Sequence, residues 1–273
     1  TPKDVISDEA REQFLASLPE WIYGTVGGNT PCVEVTTAHQ EKLIFDAGTG
    51  IRMLGKWGQP PENHHYNILF SHLHWDHIQG FPFFSPIYDR EASFDIYSPI
   101  ADLHAYFHKQ MERPYYPIAF DSLASTMRFH TVKQGEPFSI GDVSLHTVLM
   151  SHPGGSYAYA VEENGHKFVY ATDVELHTSD FERTPDRRAV FENADAIVID
   201  SQYTVEEAYQ KQNWGHSAFC YAIDFAVAWK IKKLFLFHHE PSYDDRKLHS
   251  ILKSARWYAN YISHDGVEVF LAI

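Results

Sequence analysis

Four apolar runs of strand length punctuate this chain, and each runs into an imidazole or a carboxylate. Asn67-Ile68-Leu69-Phe70 leads to His72-Leu73-His74-Trp75-Asp76-His77, and His146-Thr147-Val148-Leu149-Met150 leads to Ser151-His152. Lys167-Phe168-Val169-Tyr170-Ala171-Thr172 leads to Asp173, and Lys233-Leu234-Phe235-Leu236-Phe237 leads to His238. Strands buried on both faces read as continuous apolar runs, and α/β proteins gather their polar chemistry at strand ends. The pattern predicts an α/β protein in which four strand ends converge on one cleft.

The segment 72–77 is the densest of these ends, with three imidazoles and one carboxylate in six positions. Neutral imidazole and carboxylate suit Zn, Mn or Fe, and one loop with so many of them exceeds what a single tetrahedral ion takes. Two divalent ions are therefore expected, with Zn as the default. Packed together without a cation or hydrogen bonds, these groups would cost solvation and repel one another on protonation. The chain has 18 histidines, and isolated ones such as His130, His146 and His166 read as surface or packing residues.

Composition sets outer limits. At 273 residues and 44% hydrophobic content, the chain can bury a sizeable core, and a single domain over 1–273 is expected. No apolar stretch approaches the roughly twenty residues of a transmembrane helix, and Thr1-Pro2-Lys3-Asp4 shows no signal-peptide pattern. Cys32 and Cys220 stand far apart without partners at ligand spacing, which fits a reducing cytoplasm better than a disulfide framework. A formal charge of −14 argues against a long basic track for nucleic acid and favours a small anionic substrate.

Along the chain, residues 8–18 read as a short helix with Phe14, Leu15 and Leu18 on one side, followed by paired strands at 32–37 and 42–46 and a glycine turn over 48–55. A short helix is expected from Trp75 to Phe84, stopped before Pro86. Residues 85–135 read as an irregular insertion or lid, with strand candidates at 93–97 and 126–130, a helix near 101–111 and an extended Arg113-Pro114-Tyr115-Tyr116-Pro117 loop. Strands at 143–150, 157–162 and 166–171 are expected to be antiparallel, with further strands at 196–200, 234–238 and 267–271. Helices are expected over 217–230 and 245–260.

The His-x-His-x-Asp-His group at His72, His74, Asp76 and His77, with Ser151-His152, Ala171-Thr172-Asp173 and His238 following in order, resembles the metallo-β-lactamase superfamily over nearly the whole chain. The resemblance implies a four-layer αββα sandwich. It also implies one metal on His72, His74 and His152, a second on Asp76, His77 and His238, and Asp173 bridging them. Gly215-His216-Ser217-Ala218 before a helix, together with Gly27-Gly28-Asn29-Thr30-Pro31-Cys32 and Phe45-Asp46-Ala47-Gly48-Thr49-Gly50, resembles the ribonuclease Z-like phosphodiesterases, where the histidine before the helix acts on the scissile phosphate. In that branch a homodimer is common, and Asp46 holds a position that supports the ligand loop. One departure stands out: the branch's late His-Glu pair is replaced by Asp200-Ser201-Gln202-Tyr203, which leaves the acidic partner of His216 open, with Asp200 as a candidate for the role.

The expected reaction is hydrolysis of a small phosphodiester, a cyclic nucleotide among them, by a hydroxide bridging two metals. Asp76, Asp173 and His216 are the expected catalytic residues, with His216 donating a proton or hydrogen bond to the leaving or non-bridging oxygen. Tyr115, Tyr116 and Ser217 are candidate substrate contacts, the tyrosines because aromatic faces stack on nucleobases. The alternative is a lactone or ester hydrolase using the same metals. A flavodiiron oxidoreductase would replace His74 by Glu, a tRNA-processing nuclease would carry a basic arm, and a silent metal-binding module would not need the full ligand set.

Overall fold

The apolar runs fold as strands of two facing sheets. The structure, a computed structural model, describes residues 3, 6–18, 26, 28–263 and 266–272; Gly27 of the expected opening hairpin lies outside them. The first sheet has the order β1 (Val33–Thr36), β2 (Lys42–Phe45), β3 (His65–Leu69), β4 (Ser93–Ser98), β5 (Thr126–Thr131). Its first pair is antiparallel and the others are parallel. The second sheet runs in chain order from β6 (Phe138–Ile140) through β7 (Val143–Met150), β8 (Ser156–Glu163), β9 (His166–Ala171), β10 (Ala196–Asp200) and β11 (Lys233–Phe237) to β12 (Glu268–Leu271). Strands β6 to β9 form an antiparallel meander, and β9 to β12 are parallel. Because β7 and β9 both oppose β8, the strands β7, β9, β10 and β11 point the same way and end at one edge of the sheet.

Alternation along each strand assigns its two faces. Phe168 and Tyr170 of β9, Val198 of β10 and Phe235 and Phe237 of β11 face the other sheet, where they meet Leu43, Phe45 and Leu69. The intervening Val169, Ala171, Ile197, Ile199, Leu234 and Leu236 pack outward. Against them lie α5 (Pro185–Phe191), α7 (Phe219–Ala228) and α8 (Asp245–Ile262), through residues such as Phe191, Phe225 and Leu252. The outer face of the first sheet, Tyr66, Ile68, Phe94 and Ile96, is covered by α2 (Gly50–Trp57) and α4 (Leu103–Gln110) with Phe81, Phe84 and Phe107. Helix, sheet, sheet and helix make the four-layer sandwich. Outside these layers lie α1 (Asp8–Ala16), α3 (Trp75–Ile78) and α6 (Val205–Gln210). No helix among the described residues is long and apolar enough to cross a membrane.

Three expectations need correction. Of the glycine turn expected over 48–55, Gly48-Thr49 does turn the chain but Gly50 and Gly55 belong to α2, and at Gly55 a Cβ would stand 2.8 Å from the Phe84 ring, so the glycine permits close packing. The helix expected over 75–84 stops at Ile78, because Gly80 N donates to Ala47 O (2.9 Å) and the chain continues as 3-10 turns at Phe81–Phe83 and Ser85–Tyr88, each with a proline in its first turn. Region 85–135 is no irregular insertion: the expected strands and helix are present as β4, β5 and α4, and β4 and β5 are inner and edge strands of the first sheet.

Candidate metal centre

Every ligand-type residue of the sequence pattern lies at the same end of the sandwich, because each follows a strand that points there. β3 delivers His72 and His74 through a short loop, then Asp76 and His77 on α3. β7 delivers His152, β9 delivers Asp173, and β11 delivers His238, whose φ of 57° turns the chain at the strand's end. Histidine and aspartate tolerate this left-handed region better than most side chains.

Two groups result, each with ligand atoms within 4.8 Å of one another: His72, His74, His152 and Asp173, and Asp76, His77, His238 and Asp173. Asp173 is 2% exposed and its two oxygens divide between them. Oδ2 lies 3.6 Å from His72 Nε2 and 3.7 Å from His152 Nε2, while Oδ1 lies 3.0 Å from His77 Nε2 and 3.3 Å from His238 Nε2. His152 Nε2 is 3.1 Å from His74 Nδ1, and His238 Nε2 is 3.1 Å from Asp76 Oδ2. The buried Nε2 atoms of His72 and His77 have no hydrogen-bond partner in this arrangement. Buried polar atoms rarely stay unpaired, and a cation seated among these nitrogens and carboxylates would satisfy both.

A layer of hydrogen bonds aims the rings. His72 Nδ1 donates to Ser71 Oγ (3.0 Å), His152 Nδ1 to Gly215 O (2.8 Å), and His238 Nδ1 to Gln202 Oε1 (3.3 Å). His77 Nδ1 donates to Asp46 Oδ2 (2.7 Å), and Asp46 also accepts from Ser71 N, Ser71 Oγ and Tyr170 OH. With Nδ1 protonated in each ring, Nε2 is left as the electron-pair donor of these four imidazoles. Thr172 Oγ1 donates to Asp173 Oδ1 (2.9 Å). Sequence reasoning found Asp46 beside its glycines but not Ser71, Tyr170 or Gln202, which carry no motif and reach the site only through strand neighbours.

The electrostatics of the side chains alone point the same way. Burial holds the His72 imidazole down at about 2, helped by the neighbouring His77. Burial also opposes charge on His77 and His238, but Asp173 outweighs it: His77, with Asp46 behind it, is held well above its ordinary range and His238 is raised to about 9. Burial would likewise raise the Asp173 carboxyl, yet His238 and His77 keep it well below the usual carboxylate range. The centre therefore favours positive charge beside Asp173. A divalent cation supplies that charge in place of the protons, so protons and metal compete for the same nitrogens.

His216 adjoins this centre without belonging to either group. Its ring stacks on His238 with centroids 4.8 Å apart and lies 5.4 Å from that of His152. Its Nδ1 donates to Asp200 Oδ2 at 2.6 Å. Asp200 is fully buried at the end of β10 and also accepts from Val174 N, Gln202 N and Ser217 N, so its orientation is fixed. Asp200, His216 and His238 form a third group of ligand-type atoms within 4.8 Å, but the short Asp200–His216 hydrogen bond already occupies the facing atoms of two of its members. Gly215, at φ 92°, brings its carbonyl to His152; a Cβ there would fall 2.4 Å from His152 Nδ1.

The other expected substrate contacts are placed differently. Ser217 is buried, accepting from Leu176 N and donating to Val174 O, so its hydroxyl serves the chain's own backbone. Tyr116 OH donates to Pro82 O and meets Tyr88 OH, which makes it part of the packing beneath α4. Tyr115 is 74% exposed, and no described cavity includes it.

The Asp46 arrangement carries an expectation of its own. Asp46→Ala leaves four donors around the site without their acceptor, each costing of the order of 1–3 kcal/mol if it stays unpaired. Metal affinity should fall about 10- to 100-fold as the His77 ring loses its anchor. Zinc titration and thermal melting of the variant check both effects.

Comparison with known proteins agrees with this geometry. A family model described as the β-lactamase superfamily domain matches residues 41–239. No curated protein matches the chain in sequence. Among solved structures, the chain is similar to the metallo-β-lactamase fold protein YhfI from Bacillus subtilis, at 19% identity and TM-score 0.67, covering 91% of this chain and 93% of that one. It is similar to the short form of human tRNase Z, at 18% identity and TM-score 0.65, covering 91% and 92%. It also resembles a diphosphatase from the PhnP family, at 16% identity and TM-score 0.61, covering 89% and 81%. Matched in sequence from the second strand to the last ligand and in space across both sheets, the chain belongs to the metallo-β-lactamase superfamily of metal-dependent hydrolases.

Proposed function

We propose that this protein is a dinuclear phosphodiesterase acting on a small anionic diester. The observation that carries the reading is the division of Asp173, one oxygen facing His72 and His152 and the other facing His77 and His238. His72, His74 and His152 would hold one divalent ion, Asp76, His77 and His238 the other, and Asp173 both. Zinc is the ion that imidazole and carboxylate donors in these numbers suit first, with Mn or Fe as substitutes. When bound, the pair of ions would supply a water of lowered pKa and positive charge against phosphoryl oxygens.

The remaining tasks fall to the chain. Asp173 and Asp76 keep net charge low enough for cations to enter, and Asp46, Ser71, Gly215 and Gln202 hold the rings in register. His216, steadied by Asp200 on Nδ1, has Nε2 free to hand a proton to the departing alcohol oxygen. Support for phosphorus as the reacting centre comes from this histidine before α7 and from the similarity to a tRNase Z and a diphosphatase. The chain's charge of −14 supports a small diester over a long nucleic acid.

Hydrolysis of bis(p-nitrophenyl) phosphate by protein reloaded with Zn or Mn tests the reading. Turnover that disappears with a chelator and returns with metal is expected. No turnover with two metals measured per chain would overturn it and transfer support to a lactone or ester substrate.

A further inference from the structure

His216 faces a second feature besides the ligand cluster. A cleft of ≈ 410 Å³ is lined by His216 together with Thr178, Tyr209, Gln212, Asn213 and Tyr221, among others. Its walls come from the segment that follows Asp173, from the end of α6 and its loop, and from the start of α7. All three are tied to the metal centre by short connections. Glu175, two residues beyond Asp173, accepts from Asn213 N and Gly215 N at 2.9 Å each and so fixes the loop that carries Gly215 and His216. A group placed in this cleft would therefore stand next to His216 at a set distance from the reacting centre.

The chemistry of the walls selects what could enter. Tyr209 is 76% exposed and Tyr221 39%, and exposed aromatic faces at a cleft offer stacking to a planar ring. Gln212, Asn213 and Thr178 add donors and acceptors. Among the described residues no lysine or arginine lines the cleft. The nearby Lys211 is engaged by Glu240 at 3.2 Å and lies over the Tyr203 ring. A second phosphate here would meet the Glu175 carboxylate with no lysine or arginine to offset it, the basic groups of the walls being the imidazoles of His177 and His216.

We propose that this cleft is the leaving-group subsite and that it selects an uncharged, ring-bearing alcohol of nucleoside size over one that carries another phosphate. The inference rests on the phosphodiesterase reading above. In the step concerned, a P–O bond forms to water and the P–O bond to the nucleoside oxygen breaks. The departing oxygen receives a proton from His216, and the proton given up by the water passes to solvent, from which His216 recovers its own.

The test uses metal-loaded full-length protein and the dinucleoside monophosphate ApA, compared with ApAp, whose leaving nucleoside carries a terminal phosphate. ApA is expected to exceed ApAp at least about tenfold in kcat/KM. Tyr209→Ala, on an exposed side chain, should raise KM for ApA about tenfold with kcat little changed, as loss of one stacking face implies. Adenosine should inhibit the wild type competitively and the variant about tenfold more weakly. Equal use of ApA and ApAp, or adenosine inhibition that Tyr209→Ala and Gln212→Ala leave intact, would overturn the subsite. Failure to hydrolyse bis(p-nitrophenyl) phosphate would instead count against the phosphodiesterase reading, and ligand-observed NMR of adenosine with the same variants still decides the cleft in that case.

Discussion

Asp173→Ala is expected to abolish phosphodiester turnover and to lower the metal content of both positions at once. Among the described residues no other faces both ligand groups, since Asp173 Oδ2 points to His72 and His152 and its Oδ1 to His77 and His238. Partners one layer further out typically change affinity about 10- to 100-fold, so the loss here should exceed about 100-fold at each position. Asp173→Asn separates charge from shape. The amide fills the same space, but it presents an NH2 to one of the two groups and removes the negative charge that keeps His77 and His238 favourable to cations. The asparagine variant should melt like the metal-free wild type and hold at most one ion per chain by elemental analysis. Full occupancy with wild-type turnover in either variant would remove Asp173 from the bridge.

The ligand cluster was legible in the sequence because its signals are local. A strand-length apolar run ending in His or Asp states both where the chain is buried and where it emerges, and four such ends needed only a common strand direction to meet. The partner of His216 was legible only as a candidate, since Asp200 took that place in a family pattern rather than through a local signal. Asp200 lies sixteen positions earlier, at the end of a strand whose place between β9 and β11 exists only after the parallel sheet is formed. Tyr170 and Gln202 likewise reach the site only once the sheet is formed, while Ser71, next to His72, carries no signal of its own. Short helices failed differently: Thr204 and Glu207 form a capping box that opens α6, and Thr184-Pro185 opens α5, yet six or seven residues are too few to show a helical period. In 85–135 the strands at 93–97 and 126–130 and the helix near 101–111 were legible and appear as β4, β5 and α4, but their place in the first sheet was not, because Phe94, Ile96 and Phe129 are interspersed with polar residues such as Asp95 and Arg128, which pair with each other. Aromatic content alone singles out Tyr115 and Tyr116, whereas the cleft that Tyr209 and Tyr221 line beside His216 exists only once α6 and α7 are in place.

His216→Ala should lower turnover about 10²- to 10⁴-fold while the protein keeps its metals, the range expected when a single proton donor is removed. Retention of metal follows from the geometry: His216 Nδ1 is engaged by Asp200, and the two ligand rings beside His216 are anchored by other groups, His152 by Gly215 O and His238 by Gln202. If the third cluster of Asp200, His216 and His238 held an ion instead, elemental analysis of the variant would show the loss directly. The size of the defect should depend on the leaving group. A p-nitrophenolate departs without needing a proton, whereas an alkoxide does not, so the variant should lose more activity on ApA than on bis(p-nitrophenyl) phosphate. Asp200→Asn should follow the same leaving-group pattern with a smaller loss, because it retains His216 but offers an amide where four N–H donors, His216 Nδ1 among them, now converge on a carboxylate. That mismatch also destabilises the fold by about 1–3 kcal/mol. Equal losses on both substrates would assign His216 to holding the phosphate, and a histidine variant depleted of metal would make it a ligand.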